Sequence, residues 1–301
     1  QLVKKAESLG FRGGSVLDIA ANDGTCLTKF NVDDWACHGV DPAPPKDALL
    51  DLHKDWWTAE LASTFDQYHL IVAQNVLGHV DDVHDFLTGI KTSLLPGGVA
   101  AIEVPHFGEL LRSVAWDTIY HEHLSYWTLR PLMKALHAVG LQVFEVESFP
   151  EVHGGTRRYW CCHTGTRKMQ QSVYDEMGEE GLFIINKSSL GEFARIVERN
   201  IEKMWRTLVP MPVIGWGANA KATVVLNSRP GSKLLSTVID ETVEKQGKVV
   251  PGTDVKIIAP PQSLEGVGTV WVFAWNWQRD IERKARALGF KGTFKSVRDY
   301  L

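Results

Sequence analysis

Short apolar runs alternate with amphipathic stretches along the first half of the chain. Residues 15–20 form an apolar run that ends in Ala21-Asn22-Asp23-Gly24, and residues 36–41, 68–75 and 99–104 form three more. Each predicts a strand. Helical periodicity covers residues 85–95 and stops at Pro96-Gly97-Gly98; it returns over 130–138 and closes at Gly140. A further strand is predicted at 141–148. Strands that alternate with helices predict βαβ units and a parallel sheet. From 168 to 208 the pattern is mostly helical and charged, broken by Gly181 and Gly191, and Pro210-Met211-Pro212 marks a boundary. A second α/β pattern begins there, with strands expected at 213–217, 235–240, 255–258 and 269–274. The expected fold class is α/β. A Rossmann-like domain with a parallel sheet (residues 1–165) precedes a helical connector (166–209) and a smaller α/β domain (210–301).

A length of 301 residues suits two domains, and 44% hydrophobic residues exclude a disordered chain. The formal charge of −4 argues against a nucleic-acid backbone as partner, which calls for a clustered basic surface. No apolar run reaches the roughly 18 residues of a membrane helix, and no signal-peptide pattern opens the chain, so no membrane partner is expected. Cys26, Cys37, Cys161 and Cys162 contain no C-x-x-C pair, so neither a zinc site nor a disulfide scaffold is expected. A reducing cytoplasm is the expected location. The first residue is Gln1 rather than Met, which reads as a processed or truncated chain. The eleven tryptophans include Trp56-Trp57 and Trp275-x-Trp277, which suit either a ring-binding pocket or ordinary core packing.

In an open parallel sheet, ligands bind beyond the carboxyl ends of the strands. The run Asp18-Ile19-Ala20-Ala21-Asn22-Asp23-Gly24 places small residues and a glycine at the first such end. There the backbone can approach a ligand closely. Asp41 ends the next run, at the spacing of about 20 residues that suits a reader of ribose hydroxyls. The loop is not G-x-G-x-x-G, so a pyrophosphate fits poorly and an adenosine without phosphates fits better. S-adenosylmethionine is the cofactor this implies, with Asn75 at the third strand end; a ligand-free turn is the competing reading. Further on, Tyr120-His121-Glu122-His123 gathers two imidazoles, a carboxylate and a phenol. Histidines at i and i+2 cannot share a helix face, and H-E-x-x-H is absent, so proton transfer suits the group better than zinc. A satisfied structural cluster is the alternative.

These residues carry a resemblance. The chain resembles the S-adenosylmethionine-dependent sugar C-methyltransferases, and within them the C-3 methyltransferases of nucleotide-linked 4-keto-deoxysugars. The matching stretches run in order along nearly the whole chain: residues 16–24, Asn75-Val76-Leu77-Gly78-His79-Val80-Asp81-Asp82, and Asp117-Thr118-Ile119-Tyr120-His121-Glu122-His123. His153-Gly154-Gly155-Thr156-x-Arg158, Gly215-Trp216-Gly217-Ala218-Asn219-Ala220-Lys221, Pro251-Gly252-Thr253 and Trp275-Asn276 come after them. The resemblance implies a catalytic base at His123, assisted by Tyr120 and Glu122. It implies cofactor binding by Asp18, Ala20, Asn22, Gly24, Asp41, Asn75 and Val76. Substrate binding falls to His153, Gly154, Arg158, Gly217, Ala218, Asn219, Lys221 and Asn276, and the partner is a nucleotide-diphosphate sugar. A monomer is implied as well. Family members also carry an N-terminal zinc-binding segment with paired cysteines, which these 301 residues lack. Smaller departures are Asp41 where many members have Glu, Trp56-Trp57 where they often have Phe, and Ala222 where they have Gly.

Other readings stand beside this one. Gly215-x-Gly217-x-x-Ala220 at a strand end, with Asp240 beyond it, is a candidate dinucleotide fingerprint of an NAD-dependent oxidoreductase, although its third glycine is an alanine. A non-catalytic descendant is the third, and the Tyr120–His123 group argues against it. His79 suits either a cofactor contact or a buried hydrogen-bonded role. Of Arg157 and Arg158, at most one is expected to face the site, because alternate residues of a strand face opposite sides. Either could bind phosphate or sit solvated at the surface.

Overall fold

A computed structural model describes residues 1–150, 152, 154–182, 185–207, 212–229 and 235–300. The chain divides into two compact units: residues 1–109 with 122–184, and residues 110–121 with 185–301.

The first unit opens with helix α1 (Leu2–Ser8), then strand β1 (Gly14–Ile19), β2 (Trp35–Val40), α2 (Ala59–Ala62), β3 (Tyr68–Gln74), α3 (Val83–Ser93) and β4 (Leu94–Pro105). Helix α4 (Phe107–Arg112) comes next and passes into the second unit at Leu110; α5 (Leu129–Ala138), β5 (Leu141–Phe149), β6 (Thr156–His163) and α6 (Gln171–Leu182) complete the first unit. Six strands form one sheet in the order β2-β1-β3-β4-β6-β5. The first four are parallel, and β6 runs antiparallel to both β4 and β5. The expected parallel sheet is therefore mostly parallel. Its far edge is a β5–β6 hairpin, in which residues 156–163 form a strand that the sequence pattern did not mark.

Both faces of the sheet are covered, which is why its strands read as unbroken apolar runs rather than as alternating ones. Leu17, Ile71, Ala100 and Ile102 point to one core with Leu87 and Ile90 of α3 and Leu132 of α5. Their neighbours Val16, Leu70, Val72, Val99 and Ala101 point to the other core with Ala6 of α1. Each fully buried Leu, Ile or Val contributes about 1.5–3 kcal/mol. Asp82 caps α3, its carboxylate accepting the Asp85 N–H at 2.9 Å. The expected helix stop at Pro96-Gly97-Gly98 lies inside β4, which already begins at Leu94.

In the second unit, α7 (Lys187–Thr207) leads to β7 (Val213–Trp216), α8 (Ala220–Asn227), β8 (Thr237–Ile239), β9 (Lys256–Ile258), β10 (Thr269–Val272), α9 (Gln278–Ala287) and β11 (Thr293–Lys295). The sheet order is β11-β10-β7-β8-β9, all parallel. This is a doubly wound sheet whose strand order reverses between β7 and β10, so the turn after β7 sits at the topological switch point. Its two cores again sort by alternation: Trp271 and Phe273 face Met204, Val225 and Trp116, while Val270 and Val272 face Ile281 and Ala285. The helical stretch expected as a connector falls into two helices, with α6 in the first unit and α7 in the second.

Candidate functional site

Three non-glycine residues at the ends of β1 and β3 hold a left-handed backbone: Ala20 (φ 60°), Asn22 (φ 51°) and Asn75 (φ 55°). Such strain clusters at ligand sites. Two cavities open there in the first unit. One, of about 660 Å³, is lined by Ala20, Asp41, Trp56, Trp57, Asn75, Val76 and His79. The other, of about 640 Å³, is lined by Asp18, Ala20, Asn22, Cys26, Asn75 and Arg158. Ala20, Gln74 and Asn75 belong to both linings. Gly24 shapes the turn after β1, with φ 81° and Leu50 packed against it.

Asp41 is held by two backbone donors: the Asn22 N–H on Oδ2 at 2.9 Å and the Ala43 N–H on Oδ1 at 2.8 Å. Each oxygen keeps acceptor capacity, which suits a pair of vicinal hydroxyls. Trp56 is exposed by 71% on the wall of the same cavity, and the buried Oδ1 of Asn75 has no hydrogen-bond partner among the described residues. An apolar wall, a ribose-ready carboxylate and an orphaned acceptor fit an adenosine.

Asp18 is 3% exposed, and burial pushes its pKa up to about 7; hydrogen bonding with Cys26 opposes the shift and the Asp41 charge adds to it. Burial likewise pushes the Cys26 thiol up to about 12, with the Asp18 charge adding to it. Arg157 and Arg158 are both buried, and neither is solvated. Arg158 faces the second cavity, yet Glu103 binds its Nε at 3.0 Å and its Nη2 at 2.6 Å, and Glu147 binds its Nη1 at 3.2 Å. Its charge is already answered, which leaves little for the substrate phosphate it was expected to hold. Arg157, on the opposite face of β6, pairs with Glu176 at 2.7 Å and Glu109 at 3.1 Å. Sequence reasoning missed Glu103, because a single carboxylate inside an apolar run gives no signal of its own.

Residues 119–126 form no regular helix. Tyr120 and His121 belong to the second unit, and Glu122 and His123 to the first. The His123 ring lies 4.8 Å from that of His79, centroid to centroid, and 5.8 Å from Tyr126. His79 thus joins the motif's imidazole to the wall of the larger cavity. Gly154 adopts φ 82° in the turn before β6, and His153 lies outside the described residues.

In the second unit the turn after β7 repeats the arrangement around Asp41. Asp240, at the end of β8, accepts the Ala218 N–H on Oδ2 at 2.7 Å and the Thr242 N–H on Oδ1 at 2.9 Å. Burial raises its pKa, but these donors and Lys245 outweigh it, and the net shift is downward. Gly217 (φ 94°) makes the turn, and Asn219 caps α8 through the Ala222 N–H at 3.0 Å. Lys221 lies over the Trp275 ring at 4.7 Å, and burial lowers its pKa against the pull of Asp117. Asn276, beside Trp275, is exposed.

One group among the described residues has metal-ligand proportions: His106 Nε2 lies 3.3 Å from Glu176 and 3.6 Å from Glu180. His106 Nδ1 accepts the Glu109 N–H at 3.3 Å, which assigns the proton to Nε2 in the neutral ring. Arg157 also binds Glu176, and Glu180 accepts the Leu129 and Arg130 N–H groups at the start of α5. A charge network that ties α6 to β6 and α5 accounts for the cluster.

Comparison with known proteins adds to this geometry. A family model described as a methyltransferase domain matches residues 1–146, and one described as a C-methyltransferase C-terminal domain matches residues 151–295. The C-methyltransferase NovU of Streptomyces niveus is 30% identical over 294 residues, covering 91% of this chain and 70% of NovU. Among solved structures, an S-adenosylmethionine-dependent methyltransferase from Clostridium acetobutylicum is similar at 12% identity and a TM-score of 0.43, over 55% of this chain and 89% of that one. The 1,6-didemethyltoxoflavin-N1-methyltransferase of Burkholderia thailandensis, solved with S-adenosylhomocysteine, is similar at 18% identity and a TM-score of 0.41, over 53% and 74%.

Proposed function

We propose, because this chain belongs to the S-adenosylmethionine-dependent C-methyltransferase family, that its acceptor is a nucleotide-linked 4-keto-deoxysugar. The observation that supports the reading is the 4.8 Å between the His123 and His79 ring centroids, since His79 lines the larger cavity and His123 is the base proposed here. The Asp240 carboxylate, held as Asp41 is, supports a second nucleoside contact, with Gly217, Ala218 and Asn219 of the turn after β7 and Lys221 of α8 as the further substrate contacts proposed.

Asp41 would hold the ribose hydroxyls of the cofactor, Ala20, Asn75 and Val76 would line its path, and Asp18 and Asn22 would flank its amino-acid end. When bound, S-adenosylmethionine would supply a methyl group activated by positive sulfur, with S-adenosylhomocysteine as the leaving thioether. The protein's part is proton transfer and charge stabilisation. The C-4 ketone acidifies the proton on C-3. His123 accepts that proton at a ring nitrogen, and the electron pair spreads to the C-4 oxygen as an enediolate. Tyr120 donates a hydrogen bond to that oxygen, with His153 as a second candidate. Glu122 orients or tunes His123. The proton on His123 then leaves to solvent. Four free thiols, two of them fully buried, suit a reducing cytoplasm, and we infer a monomer there.

Titration calorimetry with S-adenosylhomocysteine and a methyl-transfer assay test the assignments. Asp41→Ala is expected to weaken cofactor affinity by about 1.5–3 kcal/mol, the value of hydrogen bonds to a charged group. His123→Asn is expected to lower turnover about 10²–10⁴-fold with cofactor affinity kept. Normal turnover by His123→Asn removes it as the base. Binding of NAD in place of S-adenosylhomocysteine sinks the whole reading.

A further inference from the structure

Asp117 belongs to a one-turn helix over residues 116–118 that the second unit holds against α8. Its neighbour Trp116 packs among Met204, Ala222 and Val225, so the turn is seated in an apolar core. Asp117 is 1% exposed there. Its Oδ2 accepts the Trp275 indole N–H at 2.7 Å, and its Oδ1 has no hydrogen-bond partner among the described residues. Two cations lie over the same indole: Lys221 Nζ at 4.7 Å and Arg298 Cζ at 4.9 Å from the ring centroid. Both act electrostatically on the Asp117 carboxylate.

A buried carboxylate is a costly way to fill space, since an apolar side chain would seat the turn beside Trp116 more cheaply. What the carboxylate adds is direction. It accepts a single indole hydrogen and feels the charge of the ammonium and guanidinium that lie over the same ring. The segment it belongs to reaches, three residues later, Tyr120. We propose that Asp117 is a positioning residue, which fixes residues 110–121, and with them the Tyr120 phenol, on the second unit by way of Trp275. Lys221 and Arg298 are held in the same cluster. The frame that carries Tyr120 is therefore the frame that carries the turn after β7. The effect on turnover rests on the role proposed above for Tyr120; the anchor itself does not.

The test uses the full chain saturated with S-adenosylhomocysteine for hydrogen exchange, and with S-adenosylmethionine and a nucleotide-linked 4-keto-deoxysugar for turnover. Asp117→Ala is expected to speed deuterium uptake across residues 110–121 and to lower kcat about 10²-fold, the scale of a small misplacement, with KM and cofactor affinity little changed. Asp117→Asn keeps an acceptor for the indole and is expected to restore both readouts. Trp275→Phe is expected to reproduce the alanine variant, and the double variant to lose no more than either single one. Unchanged uptake across 110–121 in Asp117→Ala overturns the proposal. So does an equal loss in Asp117→Asn, or a loss that falls on KM and cofactor affinity instead of kcat. If the wild type turns over no such sugar, the substrate reading fails by itself, and the exchange data still decide the anchor.

Discussion

Asp18 and Arg158 sit on one cavity wall, and burial gives them opposite tasks. Asp18 has a folded-state pKa of about 7 against an ordinary value of 3.8. Between those values the folded protein keeps a proton that the unfolded chain has released. The resulting stabilisation is full below the lower value, shrinks as pH rises through the window and is gone above pH 7; its size is about 4 kcal/mol. Asp18→Asn removes the titration. The stability of the wild type minus that of the variant, from urea melts, is expected to fall as pH rises from 4 to 7; a flat difference would refute this. Arg158 is instead the counter-charge of Glu103. Arg158→Ala is expected to cost about 3–5 kcal/mol, because it strands a buried carboxylate, whereas a residue kept only for substrate would leave stability unchanged. At this scale the strand-end residues Asp41 and Asn75 were legible, since a polar residue closing an apolar run announces itself. The bond between Asp117 and Trp275 was not, because its partners stand 158 residues apart and only the fold brings them together.

Among the elements, the first-unit strands β1 to β5 were legible as apolar runs and helices α3 and α5 by their periodicity. Strand β6 was not. Its opening Gly154-Gly155 reads as a turn, and its two arginines disguise a strand that is buried along nearly its whole length by pairing with acids on both faces. Short elements such as β11 and α8 also escaped, since three to eight residues carry too little pattern. The turn after β7 was legible by its glycines, and the structure gives Gly217 a reason. It holds φ 94°, and a Cβ there would lie 2.8 Å from the Ala274 Cβ and 3.1 Å from the Ala274 nitrogen. Backbone strain and overpacking together predict a loss of about 2–4 kcal/mol for Gly217→Ala. Gly247 has a similar φ of 81° but open space around it, so Gly247→Ala is expected to cost only about 1 kcal/mol. Equal losses by chemical denaturation would show that the contact with Ala274 does not matter.

For the molecule as a whole, the periodic pattern announced two α/β bodies, and the structure contains two, each with cores on both faces of its own sheet. What the pattern could not reveal is their interleaving. Residues 110–121 leave the first unit for the second and return, because Trp116 and Asp117 find their partners in α8 and at Trp275. No linker-like composition marks those crossings, so a boundary drawn from prolines alone falls at 210 and misses them. This division makes a prediction about the cofactor. S-adenosylhomocysteine at about one hundred times its Kd is expected to stabilise the body that holds it by about 2.7 kcal/mol. With Asp41, just after β2, holding the ribose as proposed, hydrogen-exchange protection is expected in peptides from β1 to β4 and not in those from β7 to β11. Protection centred on the turn after β7 would place the adenosine at Asp240 and exchange the roles of the two carboxylates. Each is held by two backbone N–H donors in the same way, so the protein alone supplies a seat for both outcomes and the exchange pattern is what separates them.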